Sequence, residues 1–364
     1  MRTSEIFARK RVPSALSNKV WKTHVFTRNI LEHTGEGKSG SGGLPPRELK
    51  IGVALGAGAA RGWSHIGVLQ ELAAHGIVPT IVAGTSIGAV VGGCYAAGQL
   101  GALELFARSL TKKRVLSLMD FTFSGVGLLA GNRLQKGLED ALADRTIETL
   151  PKVCAVVATE IGTGHEVWLR KGNLVEAIRA SYALPGIFEP VKVGGRWLFD
   201  GALVNPVPVT VCRALGADMV IAVNLVGDNA FRGTVISDQL SLDQMPTDLD
   251  QEGAASRHSA SAFLKGMGGN LRRHFGRRDD GAPGIAHAMM DAFNITQDRI
   301  SRSRLAGDPP DVLINARNSH IGLFDFHHAE ELIAIGREAV RRSLAEISDY
   351  AQLVSQSENA PTLP

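Results

Sequence analysis

Ser86 stands between two glycines in Gly84-Thr85-Ser86-Ile87-Gly88, the G-x-S-x-G spacing in which a serine projects from a sharp turn and can act as a nucleophile. So rich a run of glycine and alanine also suits a packed core helix, and its neighbours must decide. The apolar residues 80–83 read as a strand and the small residues after Gly88 as a helix, which is the strand, turn, helix context of a nucleophile elbow. Upstream, Gly56-Ala57-Gly58-Ala59-Ala60-Arg61-Gly62 follows the apolar run IGVAL and precedes a helix opened by Trp63. Successive backbone N–H groups in such a loop can converge on an anion, either an acyl-transfer oxyanion or a nucleotide phosphate. The Walker lysine is missing, and Arg61 occupies the sixth position of G-x-G-x-x-G, which favours acyl chemistry. A serine hydroxyl also needs a base. Asp200 leaves the apolar run RWLF just before Gly201-Ala202, a position that fits either a base or an aspartate making a turn. The chain order would also permit a Ser, Asp, His triad through His320, His327 or His328, whereas His65 reads as a core residue.

The elements that must hold these residues alternate in type. Fully apolar runs at 51–55, 80–83, 153–159 and 219–225 are separated by stretches of helical periodicity, which predicts an α/β sheet covered on both faces. Between His75 and Glu104 no Asp, Glu, Lys, Arg or His occurs, a length that could span a bilayer. Pro79 and the glycines divide it, so a central strand feeding a buried helix is the better account. Residues 1–48, with their Gly/Ser-rich run, read as a flexible leader. Residues 49–226 read as the catalytic core, 227–284 as a mobile polar and basic insertion, 285–350 as helices and a strand completing the same domain, and 351–364 as a tail. Within the insertion, 263–278 (FLKGMGGNLRRHFGRR) interleaves five basic residues with apolar ones. It reads as a solvated loop or as an element attracted to anionic lipid.

A composition of 44% hydrophobic and 21% charged residues is ordinary for a globular chain, and a net charge of +3 does not argue for a nucleic-acid partner. Cys94, Cys154 and Cys212 sit in apolar surroundings without C-x-x-C spacing, so neither a disulfide framework nor a metal site is expected. The basic N-terminus lacks the apolar run of a secretory signal, which suggests a cytoplasmic protein, peripheral to the inner face of the membrane if the basic insertion docks there.

Taken in order, Gly56-x-Gly58-x-x-Arg61-Gly62, Trp63-Ser64-His65-Ile66-Gly67-Val68-Leu69, Gly84-Thr85-Ser86-Ile87-Gly88 and Asp200-Gly201-Ala202 resemble the patatin-like phospholipases, in particular a bacterial branch similar to the catalytic domain of neuropathy target esterase. The stretch 180–190 and the run from Gln297 to Gly322 are similar to the same branch. The resemblance implies a three-layer fold with a mainly parallel central sheet and no cofactor. It implies a Ser86–Asp200 dyad that forms an acyl-enzyme on a lipid or ester substrate, with oxyanion donors on Ala57, Gly58 and Ala59. Gly56, Gly62, Gly84, Gly88 and Gly201 are then supporting positions, and Arg61 orients the loop rather than forming a plain surface ion pair. Alanine at 57 and 59 departs from the commoner all-glycine loop and would be strained at positive φ. An esterase with a histidine triad and a non-catalytic lipid-binding protein are the alternatives.

Overall fold

The computed structural model describes residues 49–118, 120, 130–142, 144–226 and 285–357. The leader at 1–48 and the insertion at 227–284, with its basic stretch 263–278, lie outside the described residues.

Among the described residues, eight strands form one sheet: β1 (Ile51–Leu55), β2 (Ile81–Thr85), β3 (Val153–Glu160), β4 (Glu166–Leu169), β5 (Val191–Val193), β6 (Arg196–Asp200), β7 (Met219–Asn224) and β8 (Val312–Asn315). The order is β5-β6-β3-β2-β1-β7-β8, with β4 paired to β3 off this path. Neighbours among β3, β2, β1, β7 and β8 are parallel, while β4 and β6 run antiparallel to β3. The expected mainly parallel sheet is therefore present, with an antiparallel margin beyond β3.

Nine helices accompany the sheet in the described residues: α1 (Ser64–Ala74), α2 (Ile87–Ala96), α3 (Leu100–Arg108), α4 (Lys112–Leu118), α5 (Asn132–Leu142), α6 (Leu174–Tyr182), α7 (Val209–Ala214), α8 (Ile285–Gly307) and α9 (Ala329–Ser357). Alternation along the strands sorts the core into two faces. Val53 and Leu55 of β1 and Met219, Ile221 and Val223 of β7 point into the cluster under α1, α2 and α9. Ala54, Val220 and Ala222 point the other way, toward α7. Sheet and helices thus make three layers, and each large aliphatic side chain buried this way stabilises the fold by roughly 1.5–3 kcal/mol.

One sequence expectation changes. The C-terminal helix runs through Ser357 rather than stopping at 350, because Ala351 continues its buried stripe and packs into the main core. Residues 75–104 form β2, α2 and the start of α3, and no described helix is long and apolar enough to cross a membrane. All three cysteines are buried and unpaired, and burial pushes each thiol up to about 12.

Candidate active site

Sheet register brings the two chemical residues together. Thr85, at the end of β2, pairs with Val157, and Ala158, the next residue of β3, pairs with Asp200. The chain leaving β2 at Ser86 therefore comes level with Asp200 across 114 residues of sequence, and Ser86 Oγ donates to Asp200 Oδ2 at 2.7 Å.

Ser86 has φ 57° and ψ −120°, a backbone that an L-residue keeps only under constraint. Its N–H donates to Ser181 Oγ at 2.8 Å, and that hydroxyl donates to the Val157 carbonyl at 2.6 Å. Its own carbonyl accepts from the N–H groups of Ala89 and Val90 as α2 begins. Glycine is required around it. A Cβ at Gly88 would be driven into the Leu55 carbonyl, and one at Gly84 into the Gly88 carbonyl, so only bare backbone lets β1, β2 and α2 approach this closely.

Asp200 is 2% exposed and does two jobs. Its Oδ1 accepts the Ala202 N–H at 2.8 Å, capping the 3-10 turn Gly201–Leu203, while Oδ2 faces Ser86. The same carboxyl group thus makes the turn and meets Ser86. Burial raises its pKa from 3.8 to about 7, against the hydrogen bonds from Ala202 and Ser86 that favour the charge.

The glycine loop lines the same cavity, but its donors differ from expectation. Ala57 N–H is taken by the Pro206 carbonyl at 2.9 Å, and Gly56 N–H by Val223 at 3.1 Å. Ala57 is thus corrected from oxyanion donor to anchor, because its N–H ties the loop to the segment leading into α7. Gly58 and Ala59 keep N–H groups that meet no acceptor among the described residues. Ala59 sits at φ 49°, the strained conformation anticipated for an alanine here. Arg61 holds the loop from outside, donating to the carbonyls of Ile321 at 2.7 Å and Ser319 at 3.0 Å. From beneath, His65 Nε2 donates to the Gly56 carbonyl at 2.8 Å, and burial lowers the pKa of this imidazole to about 4, so it stays neutral at ordinary pH.

Ser86, Asp200 and residues 57–59 meet at a cavity of about 200 Å³. Leu103, Phe106, Leu110, Leu134 and Leu138 of α3 to α5 make its apolar wall, joined by Phe188. No described histidine lines it. His320 and His328 instead contact Glu331, at 2.9 and 3.0 Å, on an exposed face.

Sequence reasoning missed two sets of supporting residues. Ser181 lay inside the segment 180–190 without a role, and its only signal was a small polar residue in an apolar helix. The second set is a chain from the elbow to α8. Thr85 Oγ1 donates to the Asn205 carbonyl, Asn205 Nδ2 to Glu166 Oε1, and Arg304 Nη2 to Glu166 Oε2 at 2.7 Å.

A mainly parallel sheet between helical layers, carrying a strained serine hydrogen-bonded to a buried aspartate beside an apolar cavity, fits a hydrolase. Comparison with known proteins agrees: residues 53–213 match the patatin-like phospholipase family. An uncharacterized NTE family protein of Mycobacterium tuberculosis is 35% identical over 82% of this chain and 93% of its own length. The chain belongs to the patatin-like phospholipase family. It is also similar to segments of longer proteins. A patatin-like phospholipase domain-containing protein of Caenorhabditis elegans is 37% identical over 47% of this chain and 13% of its own. Lysophospholipase nte1 of Emericella nidulans is 30% identical over 50% of this chain and 12% of its own.

Proposed function

We propose that the protein is a serine lipid-acyl hydrolase of the phospholipase A or lysophospholipase type, from the bacterial branch similar to the neuropathy target esterase domain. The observation that carries this reading is the 2.7 Å bond from Ser86 Oγ to a buried Asp200 at the mouth of an apolar cavity. In the first half-reaction the Ser86 proton passes to Asp200 Oδ2 as Oγ bonds the ester carbonyl carbon. The resulting oxyanion takes hydrogen bonds from the Gly58 and Ala59 N–H groups. Collapse breaks the bond to the alcohol, which leaves with the proton from Asp200, and the acyl chain stays on Ser86. Water then repeats the sequence, with Asp200 as base, and releases the fatty acid. A carboxylate whose pKa is raised to about 7 suits both steps, since a base poised near the working pH can also return the proton.

The placement of His320 and His328 on Glu331 disfavours the triad alternative. A positive φ at Ser86, beside an aspartate whose pKa burial raises to about 7, disfavours a purely lipid-binding role, for which neither feature is needed.

The test is fatty-acid release from a diacyl-phospholipid, a lysophospholipid and a p-nitrophenyl ester by wild type and Ser86→Ala, with fluorophosphonate labelling of both. Release from at least one lipid and labelling are expected in wild type, and both are lost in the variant. Labelling that survives Ser86→Ala overturns the assignment.

A further inference from the structure

Helix α8 turns a polar stripe toward the protein. Asn294, Gln297, Ser301 and Arg304 recur at helical spacing on one face, whereas Ile295, on another, is 62% exposed. These polar residues share the inward side of α8 with Phe293, which lines the cavity, and Leu305, which packs on the core.

The C-terminal end of the stripe is explained within the protein. Arg304 donates to Glu166 at 2.7 Å and to the Val204 carbonyl at 3.2 Å, which pins α8 against the segment that follows Asp200. The N-terminal end is not. Gln297 is 3% exposed and lines the cavity together with Asn294, Ser86 and Asp200. Neither carboxamide meets a hydrogen-bonding partner among the described residues. The Gln297 amide faces the cavity and makes no hydrogen bond there, so it is open to a partner from outside the fold.

Tyr182, which also lines the cavity, has a buried hydroxyl without a hydrogen-bond partner among the described residues, whereas two arginines of the lining are engaged. Arg133 donates to the Ser117 carbonyl, and Arg114 lies over the Phe106 ring with its centre 5.9 Å from the centroid. The acyl chain matches the leucine and phenylalanine wall of α3 to α5 and offers an amide nothing. A carboxamide is neutral and both donates and accepts, which suits hydroxyl and ester oxygens.

We infer that Gln297, assisted by Asn294, hydrogen-bonds the oxygen-bearing alcohol side of the substrate, a glycerol or similar polyol, and so selects polyol esters over simple ones. The inference rests on the hydrolase reading above and adds a specificity-determining residue to it.

The test compares kcat/KM for a monoacylglycerol and for a p-nitrophenyl ester of the same acyl chain, in wild type, Gln297→Leu and Asn294→Ala. Leucine is close to glutamine in size and has no hydrogen-bonding group. Gln297→Leu is expected to lower kcat/KM on the glycerol ester about tenfold more than on the p-nitrophenyl ester. Its Tm should stay close to that of wild type, since the amide makes no hydrogen bond among the described residues. Asn294→Ala should shift the same ratio in the same direction by less. Equal losses on both esters, or no change on either, would overturn the inference, and Gln297→Met gives the same comparison if the leucine variant does not fold. Wild type that fails to label with fluorophosphonate would sink the hydrolase reading and this inference with it. Labelling with an unchanged ester ratio would sink only the inference.

Discussion

Replacing Asp200 with asparagine should destroy activity and stabilise the protein at neutral pH. The carboxyl is 2% exposed, and burial lifts its pKa from 3.8 to about 7. Between those two values the native state holds a proton that the unfolded chain has released, so stability falls as pH rises through the window and levels off above it. At 1.36 kcal/mol per pH unit, a gap of about three units amounts to roughly 4 kcal/mol. The carboxamide introduced by Asp200→Asn would keep the neutral shape, still able to accept the Ala202 N–H, and would not carry that charge penalty. The stability of Asp200→Asn minus that of wild type should therefore grow by roughly 4 kcal/mol from pH 4 to pH 8. Urea unfolding of both proteins across this range measures it, and every other titrating group cancels in the difference. Wild-type kcat/KM should rise about tenfold per pH unit below 7 and then level off, as the base ionises. A stability difference independent of pH would refute the reasoning, because it would mean that Asp200 is ionised in the native state without penalty.

Three further outcomes follow from the site. Ser181→Ala removes the acceptor that holds the Ser86 N–H and should destabilise the fold by roughly 1–3 kcal/mol. It should also slow fluorophosphonate labelling, and an unchanged labelling rate would show that the elbow keeps its geometry without Ser181. Gly88→Ala drives a methyl group into the Leu55 carbonyl, so thermal melts should show a loss of roughly 1–3 kcal/mol or more; an unchanged Tm would contradict the close approach of α2 to β1. His320→Ala lies on an exposed face against Glu331 and should leave hydrolysis within about twofold of wild type. A loss of several orders of magnitude would restore the triad.

What could be read in the linear chain was local. The elbow at Ser86 and the loop from Gly56 to Gly62 announce themselves because backbone turns constrain residue types within a few positions. The apolar runs announce β1, β2, β3 and β7 for the same reason. Asp200 was ambiguous, since an aspartate before glycine caps a turn wherever it falls. Its contact with Ser86 depends on β6 pairing with β3 one residue beyond β2, a register set by long-range strand pairing. The donor role of Ala57 failed for the same kind of reason: whether its N–H is open depends on Pro206, which folding brings beneath the loop. The helices α3 to α5 carried no motif, and their leucines became a cavity wall only by closing over α2. Gln297 is the clearest instance. In an amphipathic pattern a glutamine reads as solvent-facing, and it lies inside because Glu166 and Val204 hold Arg304 and turn that face of α8 inward. Residue chemistry and short-range sterics are written along the chain, whereas which polar group is left without a partner is a property of the packed whole.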